Sequence, residues 1–323
     1  MEERLSGSGG EILAEVRSGV ATVTLNRPQA LNALTLGMLE ALAAWFDAWE
    51  RDDRVRVVML RGAGEKAFCA GGDIRALYEA HRAGGDVFPF FEIEYALDHR
   101  IHTYPKGVVA LIDGIVMGGG MGLSQGARLR LVGARTRMAM PETAIGLFPD
   151  VGGSYFLSRL AGQLGPYLGL VGPTLNATEA IYAGLADQFV GPGPTPEGEL
   201  ERFRPAIDRH FAADSVAAIV ASLEKETEPS NVEWSKRTLH VLGKRSPTLL
   251  QVTLEQLRRG ARLSLADCFR MELGMIRAAF AHGDFIEGIR ALIVEKDNNP
   301  RWKRARLADV EAGEVAAFFR EAP

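Results

Sequence analysis

The chain has 323 residues, 47% of them hydrophobic and 24% charged, enough for one large or two ordinary domains with a sizeable core. Its 37 Lys and Arg against 41 Asp and Glu give a net charge of −4, which argues against a nucleic-acid binder while leaving room for a local cationic site on a small anion. Only Cys69 and Cys268 carry thiols, and the six His show no metal-ligand spacing, so neither a disulfide framework nor a metal site is expected.

Residues 1–10 are polar and glycine-rich with no apolar run, and read as a loose leader rather than a signal peptide; cytoplasmic residence is the expectation. Residues 11–17 and 20–26 alternate as a hairpin around Ser18-Gly19. Helical spacing covers 35–51, with Thr35 as the candidate cap. A buried strand at 55–61 runs into a Gly62-Ala-Gly64 turn, and a helix at 73–82 opens after Gly71-Gly72. The apolar run 107–123 contains Asp113 and six glycines, so it reads as a strand at 108–112 and a glycine turn opening a helix, not as a membrane span. Short strands at 130–132 and 137–139 follow. This alternation implies parallel pairing with right-handed crossovers, an α/β fold. No strict G-x-G-x-x-G and no nucleotide phosphate loop occur.

Of the 36 glycines, only six lie beyond residue 200. With the linker-like Gly-Pro-Gly-Pro-Thr-Pro-Glu-Gly of 191–198, this divides the chain into a glycine-rich α/β core at 11–198 and a helical region at 199–323. Helical patterns beyond the linker cover 201–212, 215–226, 232–243, 246–260, 265–281 and 285–293.

Three segments carry chemistry. Residues 67–74, Ala-Phe-Cys-Ala-Gly-Gly-Asp-Ile, and residues 114–122, Gly-Ile-Val-Met-Gly-Gly-Gly-Met-Gly, are loops running into helices, where free backbone N–H groups favour negative charge. If the loops converge, they form a two-donor oxyanion hole. Residues 141–153, Pro-Glu-Thr-Ala-Ile-Gly-Leu-Phe-Pro-Asp-Val-Gly-Gly, set Glu142 and Asp150 among apolar residues, glycines and prolines. Carboxylates in such company suit work as acid, base or nucleophile.

These residues resemble the crotonase (enoyl-CoA hydratase/isomerase) superfamily over about residues 21–302. The Ala-x-Gly-Gly-Asp-Ile piece marks the superfamily only. The long 140–153 segment, Ser246-Pro-Thr, the 282–291 segment His-Gly-Asp-Phe-Ile-Glu-Gly-Ile-Arg-Ala, Glu295-Lys-Asp and Pro300-Arg-Trp are nearer to its 3-hydroxyisobutyryl-CoA hydrolase branch. Hydratases of the superfamily carry a catalytic Glu two residues after the glycine triple and a second Glu twenty residues on. Here those positions are Gly122 and Glu142, while Asp150 stands where hydratases have Gly.

The resemblance implies a spiral of β-β-α units with a helical C-terminal region covering an acyl pocket. It implies hydrolysis of a short β-hydroxyacyl-CoA, 3-hydroxyisobutyryl-CoA of valine breakdown first among them. Gly72 and Gly119 would donate the oxyanion-hole N–H groups. Glu142 would act as nucleophile or general base, and Asp150 as its partner on a proton or the substrate hydroxyl. Glu94 matches a substrate-contacting Glu, although it lies in a charged helical stretch with Glu92 and Asp98 where a solvated face competes. Ala70, Gly71 and Asp73 would line the CoA adenine site, and Arg27 and Lys66 would reach CoA phosphates, although Arg27 is first a turn residue. Asp150 could also be a turn or N-cap residue before Gly152-Gly153-Ser154. No cofactor or metal is expected, CoA being part of the substrate. No nucleic-acid or membrane partner is expected, and a homo-oligomer is open. Two other readings stand beside this one: a hydratase or isomerase using Glu142 alone, and a non-catalytic acyl-CoA-binding protein.

Overall fold

The computed structural model describes residues 3–320. The chain divides into two compact units, Met1–Ala139 with Thr174–Gly198, and Met140–Pro173 with Glu199–Pro323. The sequence division at 198 recurs as a boundary. Residues 140–173, with both carboxylates, group with the C-terminal helices instead of the α/β core.

Among the described residues the ten strands lie in the first unit: β1 Glu3–Gly7, β2 Ile12–Arg17, β3 Val20–Leu25, β4 Val57–Gly62, β5 Ala67–Cys69, β6 Gly107–Ile112, β7 Ile115–Met117, β8 Leu129–Val132, β9 Arg137–Ala139 and β10 Gln188–Phe189. Seven form one sheet in the order β1-β2-β3-β4-β6-β8-β10, antiparallel over the first three and parallel from β3 onward. The other three, β5-β7-β9, form a small parallel sheet. Three strands of the large sheet are thus each followed by one of the small sheet (β4 by β5, β6 by β7, β8 by β9), as in the β-β-α spiral that the resemblance implied.

Glycines make the passage between sheets possible. A Cβ on Gly62 would lie 2.3 Å from the carbonyl of Ala67, and one on Gly114, at φ +83, 2.3 Å from that of Lys66. The wholly buried Asn32 pins the first crossing, donating to the carbonyls of Ala63 at 3.0 Å and Ala67 at 2.8 Å. The helix Leu36–Glu50 buries Met38, Leu39, Leu42, Phe46 and Trp49, and Thr35 caps it by accepting from the Met38 N–H at 3.3 Å. Such a cap contributes about 1 kcal/mol.

The expected loose leader is corrected. Residues 3–7 form β1 and pair with β2 from Glu3↔Val16 to Gly7↔Ile12. A Cβ on Gly7 would come within 2.5 Å of the Ala41 methyl, so the strand lies close against the helix Leu36–Glu50. Its side chains alternate half-buried and exposed, as on an edge strand, and give no apolar alternation to read.

The second unit is helical. It comprises the turn Glu142–Ile145 and the helices Gly153–Phe156, Leu164–Val171, Leu200–Phe211, Val216–Glu224, Val232–Leu242, Pro247–Gly260, Leu265–His282, Asp284–Ile289 and Ala312–Ala317 among its elements. Trp234 is a packing anchor there, stacked on Phe203 at 5.5 Å and tilted on Tyr167 at 5.9 Å.

Candidate active site

In the first unit the two glycine loops converge. β5 ends at Cys69, and the chain turns through Gly71, at φ +106, before the helix Ile74–Arg82. β7 ends at Met117 and turns through Gly118, at φ +49, into the wholly buried helix Gly119–Gln125. A Cβ on Gly71 would sit 3.2 Å from the Met117 carbonyl and 3.5 Å from the Gly119 nitrogen, so side chains are excluded where the loops meet. Leu34 bridges the first loop by donating to the Gly71 carbonyl at 2.8 Å and accepting from the Asp73 N–H at 2.9 Å, which leaves the Gly72 N–H outside the ladder. The Gly119 N–H opens a helix and has no intrahelical acceptor. Two backbone donors therefore belong to one small region, the arrangement an oxyanion requires.

Glu94 joins them. It lies on the helix Phe88–Thr103 and is 2% exposed, and Asp98 is 0% exposed. The solvated-face reading is thereby overturned for both, because they share the helix side that buries Phe91, Tyr95, Leu97 and Ile101; of the three carboxylates Glu92 alone is exposed. A Cβ on Gly119 would fall 2.2 Å from Oε1 of Glu94, so a carboxylate oxygen rests directly on that glycine.

The remaining residues of this half are placed less simply. Ala70 is half-buried, and its N–H donates to the Leu31 carbonyl at 3.1 Å. Asp73 caps the helix Ile74–Arg82, accepting from the Ala76 N–H at 3.2 Å, and accepts from Nη2 of Arg27 at 3.0 Å. Arg27 also pairs with Glu11 at 3.0 Å and donates to the Ala33 carbonyl at 2.7 Å. Its guanidinium thus braces the first loop within the protein. Lys66 is exposed. Burial pushes the Cys69 and Cys268 thiols up to about 12, so neither is a nucleophile.

In the second unit Glu142, 6% exposed, opens the turn Glu142–Ile145. The downstream motifs form the seat of this turn. A Cβ on Gly288 would lie 2.2 Å from the Ile145 carbonyl, and one on Gly146, at φ +68, 2.5 Å from the Asp284 carbonyl. Asp284 accepts from the Ser246 hydroxyl at 2.5 Å and from the Lys303 N–H at 2.8 Å. The Thr143 hydroxyl donates to the Leu170 carbonyl at 3.1 Å. The Ser-Pro-Thr and His-Gly-Asp segments thus set the backbone that carries Glu142.

Asp150, also 6% exposed, precedes a tight turn in which its carbonyl accepts from the Gly153 N–H at 2.7 Å. Asp150 is thus the turn residue of the alternative reading, while Gly152 stands at the N-cap of the helix Gly153–Phe156 without a side-chain cap bond. Glu272, 0% exposed and on the helix Leu265–His282, accepts from the N–H groups of Gly152 at 2.7 Å and Ser154 at 2.8 Å. Gln256 donates to the Pro149 carbonyl at 2.6 Å and the Ser154 hydroxyl at 2.8 Å. Neither residue was singled out from sequence; each is an ordinary polar residue in a helical pattern, without a local mark of its distant partner.

Burial pushes the Glu272 carboxyl up to about 8; its hydrogen bonds with Ser154 and Gly152 act downward and the Asp150 charge acts upward. Between the ordinary carboxylate range and that value the folded chain keeps a proton that the unfolded chain has released. Unfolding free energy from this group therefore falls as pH rises through the window, by on the order of a few kcal/mol. Denaturant titrations at about pH 5.5 and about pH 8.5 should show that fall in the wild type and a smaller one in Glu272→Gln. Equal falls would remove Glu272 as its source.

A second polar arrangement is structural. His210 lies 2.7 Å through Nδ1 from the Ser222 hydroxyl and 2.9 Å through Nε2 from Glu226, which resembles a nucleophile–base–carboxylate set. Ser222, however, sits within the helix Val216–Glu224, whose amides are spent on helix bonds, so no oxyanion donors accompany it. The cluster fastens the helices Leu200–Phe211 and Val216–Glu224 together. Among the described residues no group of His, Cys, Asp and Glu could hold a metal ion, and no helix is long and apolar enough to cross a membrane.

Comparison with known proteins shows the family. A family model described as enoyl-CoA hydratase/isomerase matches residues 20–197 and 191–319. The chain is 40% identical to the mitochondrial 3-hydroxyisobutyryl-CoA hydrolase of Gallus gallus, over 97% of this chain and 89% of the relative. Among solved structures it is similar to a carnitinyl-CoA dehydratase from Mycobacterium thermoresistibile, with TM-score 0.90, 40% identity and coverage of 97% and 96% of the two chains. It is also similar to an enoyl-CoA hydratase from Rhodobacter sphaeroides 2.4.1, with TM-score 0.89, 37% identity and coverage of 96% and 97%.

Proposed function

The chain belongs to the enoyl-CoA hydratase/isomerase family, and on that premise we propose that it hydrolyses a short β-hydroxyacyl-CoA thioester, 3-hydroxyisobutyryl-CoA first among them. The observation that carries this reading is the distribution of carboxylates. Gly122 lies buried in the helix Gly119–Gln125 at the position where family hydratases have a catalytic Glu, while Glu142 and Asp150 are both present and nearly buried. Hydration needs one group to activate water and another to manage the proton at the α-carbon. Thioester cleavage needs only a nucleophile or base, a proton carrier and stabilisation of the oxyanion.

The proposed chemistry assigns each residue a task. The N–H groups of Gly72 and Gly119 stabilise the charge that develops on the thioester oxygen. Glu142 attacks the carbonyl carbon, the C–S bond breaks, and CoA leaves as the thiol after gaining a proton; water then cleaves the mixed anhydride. In the other order, Glu142 takes a proton from a water that attacks directly. Asp150 handles the proton or the substrate hydroxyl, and Glu94 accepts a hydrogen bond from substrate. Ala70, Gly71 and Asp73 are proposed to border the CoA adenine, with Lys66, whose side chain is exposed, for a CoA phosphate. Arg27 is the weaker phosphate candidate, since Glu11 and Asp73 already engage it. No cofactor is required, because the thioester is itself activated. Sparse cysteine usage supports the proposal of cytoplasmic residence; the relative's name says mitochondrial of that protein.

Thiol release measured over a panel of acyl-CoAs tests the reading. Release from 3-hydroxyisobutyryl-CoA well above crotonyl-CoA hydration is expected. Hydration well above cleavage would support the alternative, a hydratase using Glu142; the names hydratase and dehydratase belong to the two similar structures. Oxygen-18 entering the enzyme during a single turnover in labelled water would mark the anhydride route.

A further inference from the structure

We propose that Glu272 and Gln256 form a clamp that positions Asp150 for the reaction, although neither touches substrate. This rests on the hydrolase reading above. Val151, next to Asp150, adopts φ +50, a conformation that β-branched residues rarely take. Such a residue persists only where its surroundings over-determine it. Here they do. Gln256 holds the carbonyl of Pro149 on one side of the Asp150–Val151 pair, and Glu272 holds the N–H groups of Gly152 and Ser154 on the other. Gln256 also binds the Ser154 hydroxyl, so both clamp residues meet on Ser154. Glu272, Gln256 and Ser154 are all 0% exposed.

The turn has nowhere to relax. A Cβ on Gly260 would meet the Ser154 carbonyl at 2.1 Å, and one on Gly152 would meet the Phe269 ring at 3.0 Å. The helices that carry Gln256 and Glu272 therefore also press on the turn with their backbone and an aromatic ring. A helix of four residues does not need a distant buried carboxyl merely to start; a local Ser or Asp would serve. A buried polar group is costly unless satisfied, and Glu272 is satisfied by the segment that aims Asp150.

Glu272→Gln keeps the shape but puts an amide nitrogen, which cannot accept, against one of the two N–H donors. Gln256→Met removes both donors at Pro149 and Ser154. Each variant should lower kcat by about 10-fold or more with KM changed less than about 3-fold, and the double variant should cost little more than the worse single, as expected for residues acting as a unit. Full kcat in both variants, with only a lower Tm, would mean a structural role and overturn the proposal, as would multiplicative losses or a change confined to KM. Wild-type thiol release is measured alongside; if it is absent, the hydrolase reading fails by itself. Amide exchange at Gly152 and Ser154 then decides the clamp without activity: faster exchange in Glu272→Gln is expected, and unchanged protection would refute it.

Discussion

Glu142→Gln should abolish CoA release while CoA-thioester binding survives. The substitution keeps the size and planarity of the side chain, so the turn Glu142–Ile145 keeps its close seat against Asp284 and Gly288. What is lost is chemical: an amide is neither a nucleophile toward a thioester nor a base toward water. A general base alone contributes about 10²–10⁴-fold, and loss of a covalent nucleophile costs as much or more, so the expected fall is about 10³-fold or greater. Single-turnover thiol release reads the loss, and titration with a non-hydrolysable thioether analogue reads binding, which should stay within a few-fold. Since the site residue is 6% exposed and no packing is changed, Tm should hardly move. Full turnover by this variant would sink the assignment.

The sequence made the first unit legible through periodicity. Runs such as Val20–Leu25 and Gly107–Ile112 are apolar on one or both faces, and Thr35 carries its cap chemistry within three residues. The glycine loops were legible because a run of glycines has few other uses. β1 was not, because an edge strand containing Glu3, Arg4, Ser6 and Gly7 shows no apolar alternation. The burial of Glu94 and Asp98 was ambiguous, since a helix with charges reads the same whether a face meets solvent or a polar pocket. The least legible features were the long-range partners. Glu272 reaches Gly152 over 120 residues, and Gln256 reaches Pro149 over 107. No local spacing records such a pairing. The downstream His-Gly-Asp segment was visible only as a resemblance, and its physical content, the close approach of Gly288 to the backbone of the Glu142 turn, emerges from the packing.

Gly119→Ala should damage both the oxyanion donor and its neighbour Glu94 with a single methyl. At Gly118 a substituent would be strained by φ +49, but at Gly119 the backbone is helical and alanine suits it; the obstacle is space alone. The new Cβ would stand 2.2 Å from Oε1 of Glu94 and 3.1 Å from Cδ1 of Leu34. Glu94 belongs to the helix Phe88–Thr103, which is anchored by buried Phe90, Phe91, Tyr95 and Leu97, so its carboxylate has little room to withdraw. Either Glu94 rotates off the glycine or the helix Gly119–Gln125 shifts and carries the Gly119 N–H with it. The first outcome misplaces a proposed substrate contact, and the second misplaces an oxyanion donor. Overpacking of this kind costs about 1–3 kcal/mol of stability. Misplacing the donor costs about 10²–10³-fold in kcat. Comparison with Glu94→Gln separates the two routes. That variant keeps the shape at Gly119 and only exchanges a carboxyl for an amide, so it should lose about 10-fold at most if the N–H position dominates. A Gly119→Ala protein that matches Glu94→Gln in kcat would assign the damage to Glu94. One that retains wild-type kcat, with its fold checked by circular dichroism, would remove Gly119 from the oxyanion hole altogether.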